Sequence, residues 1–518
     1  MKKFTKLAAV LMAMAMVIGL VGCSDGAAPA ATEAPAATEA ATEAAKESKT
    51  LTIVNGNDLD EFNPFTNQQT AYITFFAFNC YEPLFHLNEN MEYEMDLATN
   101  VEQKDDTTIV ITTRENVKFH NGQTFGPEDV VYTIQKTLDP AVSAWRITQY
   151  EIVDSIEATG ANEVTIKLKN ASPAFLDNLA YTPIVCKEDD PAQMAQKVNG
   201  TGAYKFVSWT PNDSINLEKF ADYWDADKIN FDALVIKPIP DASVAITNLE
   251  TGAVDLYNSI TVEAADTIES KAGLKVISAK ASNTVDLFEI GRHNFEPFSD
   301  PEVLRAMFLA LDRQTINDSV YGGKGKPTTS MYPSATKYHI DSDNEGYDIE
   351  KAKEVLAATP YKDGFEFDLE VLAGYSAAEQ EAIIWQADLA KLGIKMNVKV
   401  EEMSVWLDAY LNRTYQMIWN SYGMVGSDPA TFNSIIISQL FDYQAKDIPE
   451  LEDLVAAGAS TSDDAVRKEA YEKIQKIVAE YRPVCPFVEA PLLYGATESL
   501  TGLEINGMGH MFLKNVDK

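Results

Sequence analysis

Residues 376–400 read SAAEQEAIIWQADLAKLGIKMNVKV, and the reading of this stretch decides the fold class. Ser376 followed by Glu379 has the spacing of a capping box, in which hydroxyl and carboxylate satisfy N–H groups that a helix start leaves unbonded. Apolar residues then recur at Ile383, Ile384, Ala387 and Leu392, and Gly393 supplies the permissive backbone that ends a helix. Beyond it, Ile394, Met396, Val398 and Val400 alternate with Lys395, Asn397 and Lys399, the period of a strand with one face in water. A helix running directly into a strand is the repeating unit of a layered α/β fold.

The same grammar extends outward. Downstream, a helix is predicted after Ser404 and a strand around Tyr415 to Trp419. Upstream, Ser299 and Glu302 predict a capped helix with Pro301 in its first turn, continuing through Leu304, Phe308 and Leu311 and ending before Gly322 and Gly323. Asp348 precedes a short helix that closes before Pro360. In the N-terminal half Pro127, Glu128 and Asp129 open a helix whose apolar stripe is Val130, Val131, Ile134 and Leu138, flanked by strands at Ile109 to Ile111 and at Val164, Ile166 and Leu168. Two α/β lobes are predicted, and nothing suggests a repeat array.

The chain opens with Lys2, Lys3 and Lys6, then an uncharged apolar run over 7–22, the layout of a secretory signal and short for a bilayer span. That run ends in Leu20-Val21-Gly22-Cys23, which resembles the lipobox of bacterial lipoproteins. The resemblance implies removal of residues 1–22 and diacylation of Cys23. Residues 24–49 are dominated by Ala, Thr, Glu and Pro and offer little to bury, so 23–49 is read as a lipidated, disordered tether. As a flexible chain it would reach on the order of 25–30 Å. The remaining length, roughly 470 residues, exceeds what one core supports.

The formal charge is −36 and becomes −39 when the three lysines of the signal are lost, which argues against nucleic acid or anionic lipid surfaces as partners. Only Cys80, Cys186 and Cys485 remain beyond Cys23, without metal-like spacing. At most one disulfide can form, and buried free thiols are expected. The five histidines (His86, His120, His293, His339 and His510) show no ligand spacing, so no metal or other cofactor is predicted. No H-E-x-x-H or G-x-S-x-G occurs, which speaks against a hydrolase.

Several short motifs then appear in a fixed order. They include Asn63-Pro64-Phe65, Tyr81-Glu82-Pro83-Leu84-Phe85, Leu97-Ala98, Phe119-His120-Asn121-Gly122 and Pro127-Glu128-Asp129-Val130-Val131-Tyr132. Gly200-Thr201-Gly202-Ala203-Tyr204, Asp222-Tyr223-Trp224 and Leu249-Glu250-Thr251-Gly252-Ala253-Val254-Asp255 follow. Arg305-Ala306, Ala310-Leu311-Asp312-Arg313, Leu392-Gly393-Ile394, Asp428-Pro429 and Arg482-Pro483 complete the series. Together they make the chain, from about 50 to about 490, resemble the large bacterial extracellular solute-binding family, family 5, that includes the oligopeptide-, dipeptide- and nickel-binding proteins of ABC importers.

The resemblance implies a two-lobe periplasmic-binding-protein-like clamshell of type II with an extra inserted subdomain. The first lobe would comprise 50–80, 203–285 and 488–518, the inserted subdomain 81–202, and the second lobe 286–487. It further implies a monomer that closes on a small-molecule or peptide ligand and docks on permease subunits driven by cytoplasmic ATPases, held to the membrane through the lipid alone. Ligand-binding candidates are Tyr72 and Thr74, Trp145 and Arg146, and Trp419, Tyr422 and Val425. Val425 departs from the pattern: peptide-binding relatives place an Asp three residues after the aromatic matched by Tyr422, where it holds the peptide's ammonium. An unmatched buried ammonium costs on the order of 3–5 kcal/mol. Because peptide-like compounds dominate the resembled family, a peptide-like ligand leads; an oligosaccharide or other neutral solute, favoured by Val425, Trp419 and Tyr422, and a sensor role at a membrane receptor are the alternatives.

Overall fold

A computed structural model describes residues 48–341, 345–433, 448 and 450–518. The expected signal, Cys23 and nearly all of the tether lie outside the described residues. Three sheets organise the body. A seven-stranded mixed sheet runs in the order Leu274–Ser278, Leu493–Thr497, Leu256–Tyr257, Thr50–Asn55, Ala233–Pro238, Ser214–Lys219 and Tyr204–Thr210. A six-stranded sheet runs Lys326–Pro327, Val484–Glu489, Thr284–Ile290, Met417–Gly423, Glu366–Leu372 and Lys395–Glu401. A four-stranded antiparallel sheet, Ala98–Asp105, Thr108–Thr113, Glu163–Leu168 and Val153–Gly160, is backed by the helix Pro127–Leu138.

The chain passes between the two large sheets over 279–283 and again over 490–492, so both crossings are short and lie side by side. Ala279 donates its N–H to the Leu492 carbonyl at 3.0 Å, tying one crossing to the other. Two separately cored bodies joined by paired short strands of backbone are the architecture of a hinged clamshell.

The stretch 376–400 forms the helix Ser376–Ala390 and the strand Lys395–Glu401, which pairs in parallel with Glu366–Leu372. Gly393 sits at φ +79°, the left-handed backbone predicted for the stop. Two details differ from the sequence reading. Tyr375, not Ser376, occupies the N-cap and no side chain caps the helix. The buried face is Ala378, Glu381, Ala382, Trp385, Asp388 and Leu389, while Ile383 is 55% exposed. Trp385 selects that face by stacking on Phe288 of the sheet below, at 4.9 Å.

A second correction concerns the helix predicted from Ser299. Asp300 is the cap, accepting the Glu302 N–H at 2.9 Å, whereas the Ser299 hydroxyl donates to the Arg292 carbonyl. The helix Pro301–Leu309 then ends, and Asp312 caps a separate helix, Arg313–Val320. Both aspartates have a short carboxylate that reaches back to the first-turn amides, which makes them stronger stops and starts than the apolar period implied. Cys80, Cys186 and Cys485 are buried free thiols in different parts of the fold.

Candidate ligand-binding site

Tyr72 and Thr74 lie on the short helix Thr70–Phe75 and are both buried. Trp145 is held against the same region because its backbone N–H donates to the Phe65 carbonyl at 3.0 Å. Arg146 follows as the N-cap residue of the helix Ile147–Tyr150, which turns its side chain inward until it is only 6% exposed. Its guanidinium lies 4.0 Å from the centre of the Trp145 ring and 5.7 Å from that of Tyr181. Burial lowers Arg146 to about 10, against the smaller, opposite influence of Tyr150, Tyr181 and Tyr72. At neutral pH it stays protonated.

Several polar atoms around this side chain are buried without a hydrogen-bond partner: Arg146 Nε, Trp145 Nε1, Tyr72 Oη and Tyr181 Oη. By contrast Tyr150 shares a hydrogen bond with Thr182 at 2.6 Å, so its hydroxyl is satisfied within the fold. His510 completes the wall, stacked on Phe78 and 6.2 Å from Tyr181. Burial first, then Arg146 and His86, depresses it to about 3, so it is neutral.

Trp419 and Tyr422, both on the strand Met417–Gly423, form a different group. The Trp419 indole N–H donates to Glu381 at 2.8 Å. The Tyr422 hydroxyl donates to Glu289, which is fully buried and also accepts from Arg413 at 3.0 Å, Tyr415 at 2.7 Å and Asn420 at 2.9 Å. Their polar atoms are therefore already used inside the six-stranded body. Val425 sits in the following loop and is 40% exposed.

The two groups are linked by a contact that sequence reasoning missed. Asp177, on the helix Phe175–Ala180, accepts the backbone N–H groups of Ser427 and Asp428 and the Tyr93 hydroxyl. No spacing rule marks such a residue, because its partners are backbone amides some 250 residues away. Tyr181 and His510 were likewise invisible, one following a short helix and one near the C-terminus. His120, read as a structural histidine, is buried, bonds the Gly202 carbonyl through Nε2 at 2.9 Å, and is depressed to about 4 by burial.

A cavity of about 280 Å³ lies elsewhere, in the six-stranded body, lined among others by Arg305, Arg313, Glu345 and Arg482. It contains none of the residues from which the ligand site was expected. Arg305 there is already paired with Glu302 and Glu345. Among the described residues no cluster of His, Cys, Asp and Glu could hold a metal ion, and no helix is long and apolar enough to cross a membrane.

Two α/β bodies hinged by adjacent crossings, with unsatisfied polar side chains beside the contact between them, define a two-lobe solute-binding clamshell. The sequence profile of bacterial extracellular solute-binding proteins, family 5 Middle, matches residues 92–440, and the chain belongs to that family. It is a binding protein, not an enzyme. The chain is 24% identical over 484 residues to the glutathione-binding protein GsiB of Escherichia coli K12, covering 88% of this chain and 92% of that one. The fold superimposes on the ABC transporter substrate binding protein CtaP of Listeria monocytogenes with a TM-score of 0.81, at 23% identity and 91% and 99% coverage. It also matches a dipeptide binding protein from Pseudoalteromonas sp. SM9913 in complex with Met-Leu, with a TM-score of 0.69, 21% identity and 91% and 100% coverage.

Proposed function

We propose that this chain is the extracytoplasmic solute-binding lipoprotein of an ABC importer, anchored through Cys23, and that it captures a peptide-like small ligand between its lobes for delivery to the permease. In this reading the first lobe comprises 50–80, 203–285 and 488–518, the inserted subdomain 81–202, and the second lobe 286–487. The observation that carries it is the group of Tyr72, Trp145 and Arg146, whose buried polar atoms have no partner within the fold. Folded proteins rarely leave such atoms unmatched, and a ligand that supplies the missing bonds recovers the desolvation cost. The peptide class is supported by the relatives, one named for glutathione and one holding Met-Leu.

Native mass spectrometry of the purified protein tests the reading, since tight ligands copurify. A copurifying mass that fragments as a peptide or peptide derivative is the expected result. A bound oligosaccharide, or purified protein that binds no member of a tripeptide library, would overturn the peptide class.

A further inference from the structure

The cavity of about 280 Å³ in the six-stranded body is walled by the helices Pro301–Leu309 and Asp464–Tyr481, the first turn of Arg313–Val320 and the strand Val484–Glu489. Three arginines line it, in a chain where 78 acidic residues outnumber 42 basic ones. Arg305 is already engaged by Glu302 and Glu345. Glu345, the one carboxylate of the lining among the described residues, is also held by Lys351 at 2.6 Å, so these four charges cancel. Arg313 and Arg482 are left over. Arg313 is 8% exposed; its Nε donates to the Pro486 carbonyl at 2.9 Å, and Nη2 reaches only the Cys485 sulfur, at 4.0 Å. Arg482 ends the long helix at φ +54° and donates Nη1 to the Glu480 carbonyl at 3.2 Å. Among the described residues neither has a carboxylate in ion-pair range. Burial pulls both guanidinium groups below the usual arginine range, yet both stay charged at neutral pH. Two uncompensated cations facing one cavity call for two negative charges. Ser330 adds a donor, because its Oγ accepts the Tyr332 N–H at 3.1 Å and keeps its own proton to give. The rest of the wall is apolar, from Phe308, Leu309 and Val478 among others, and suits carbon rather than water.

We infer that this cavity is a second binding site, apart from the cleft, for a small organic dianion whose charge is held by Arg313 and Arg482 and whose carbon body lies on Phe308, Leu309 and Val478. The site goes beyond the capture of a solute between the lobes and does not depend on it. A dianion is specified because two guanidinium groups bring two charges that nothing else in the lining cancels, and Arg forks suit the planar or tetrahedral oxygens of carboxylate and phosphate alike. A dicarboxylate and a phosphate monoester share this chemistry.

Calorimetry on the detergent-solubilised full chain, at fixed ionic strength in chloride, compares succinate, glycerol 3-phosphate and inorganic phosphate. At least one of the two organic dianions is expected to bind once per chain with a Kd below about 100 μM, and about tenfold or more tightly than inorganic phosphate. Binding of succinate alone assigns a dicarboxylate, and binding of glycerol 3-phosphate alone a phosphate monoester. Two variants locate the site: Arg482→Gln removes a charge, and Ala479→Leu fills the cavity while leaving every charge in place. Each should weaken the binding by about 30-fold or more, and should either fail to fold the other decides. Three results would overturn the inference: no binding of either organic dianion up to about 10 mM, inorganic phosphate binding as tightly as they do, or affinity unchanged in the variants. None of the three bears on the cleft, whose ligand is read separately from what copurifies.

Discussion

The carboxylate of Asp177 accepts the backbone N–H of Asp428 at 2.8 Å, joining the short helix Phe175–Ala180 to the loop that leaves the six-stranded sheet. Ser427 adds a second N–H at 3.0 Å. The approach is close because residue 426 is glycine: its φ is +89°, and an added Cβ would lie 2.1 Å from Asp177 Oδ2. Gly426→Ala therefore meets two penalties, a left-handed backbone costing ~1–2 kcal/mol and a steric conflict with the carboxylate. Denaturant unfolding should show a loss of ~2–4 kcal/mol in the parent and a clearly smaller loss in an Asp177→Ala background. Equal losses in both backgrounds would mean that the conflict with Asp177 is not felt.

Asp428 is held from its other side by Arg467, with both oxygens 2.7 Å from Nη2 and both side chains buried. Removing the cation leaves a buried carboxylate without its counter-charge. Arg467→Ala should cost ~3–5 kcal/mol, far more than an exposed pair such as Lys473 with Glu469 would. Replacing Arg467 with Lys should recover only part of it, since an ammonium cannot reproduce the planar fork. A loss below about 1 kcal/mol for Arg467→Ala would contradict this account.

The α/β alternation was legible because it rests on local periods: Lys395–Glu401 reads directly from its alternating residues, and Pro127–Leu138 from its stripe and first turn. Which face of a helix is buried was less so. Ile383 points to water because Trp385 has Phe288 to stack on, a tertiary fact with no local signature. At the site, Trp145 and Arg146 could be picked out only through the family resemblance, as the segment that follows the helix Pro127–Leu138. Asp177, Tyr181 and His510 could not, since each depends on contacts across long separations.

Glu82 offers a test in pH. Its carboxylate is buried, accepts the Tyr223 hydroxyl at 2.8 Å and the Trp224 indole at 3.0 Å, and is raised to about 7 by burial, then by Asp96. The folded state thus holds this proton more tightly than the unfolded chain, whose carboxyl sits near 4.5. The resulting stability is fully present below pH 4.5 and is lost as pH rises through 7. Glu82→Gln keeps an acceptor for both donors and does not ionise. Relative to the parent, the variant should gain on the order of 3 kcal/mol between pH 4.5 and pH 8. His120, depressed to about 4 by burial, contributes with the opposite sign, gaining as pH rises from 4 to 6.5, but it is common to both proteins and cancels in the difference. Parallel curves across this window would show that Glu82 is already ionised.

Anchoring through Cys23 is tested by fractionation. The apolar run before it holds no charge, and Gly22 precedes the thiol, as lipid attachment requires in the lipobox pattern. Cys23→Ser should move the protein from membranes to the soluble fraction or the medium. A single acyl chain binds membranes only marginally, so stable retention of the parent through the same wash reports more than one attached chain. Retention of Cys23→Ser on membranes after a high-salt wash would exclude the lipid anchor.

The amino end of the ligand provides the last prediction. Val425 falls where the family resemblance implies an ammonium-binding Asp, and it is 40% exposed, with an isopropyl group that cannot offset desolvation of an amine. The nearest acids along and across the loop are already engaged. Asp428 is bound by Arg467 and caps the helix Pro429–Phe432, and Asp177 accepts Ser427, Asp428 and Tyr93. Freeing either for an ammonium would break bonds that hold the two bodies together. A peptide ligand and its amino-acetylated form should therefore bind within about tenfold of each other, a difference of about 1.4 kcal/mol or less. Val425→Asp should shift the preference toward the free amine, because a half-exposed carboxylate in that loop gains a partner at little desolvation cost. Calorimetry on the free and acetylated pair decides between the two arrangements: a loss beyond a hundredfold on acetylation would show that another acid in the cleft holds the ammonium.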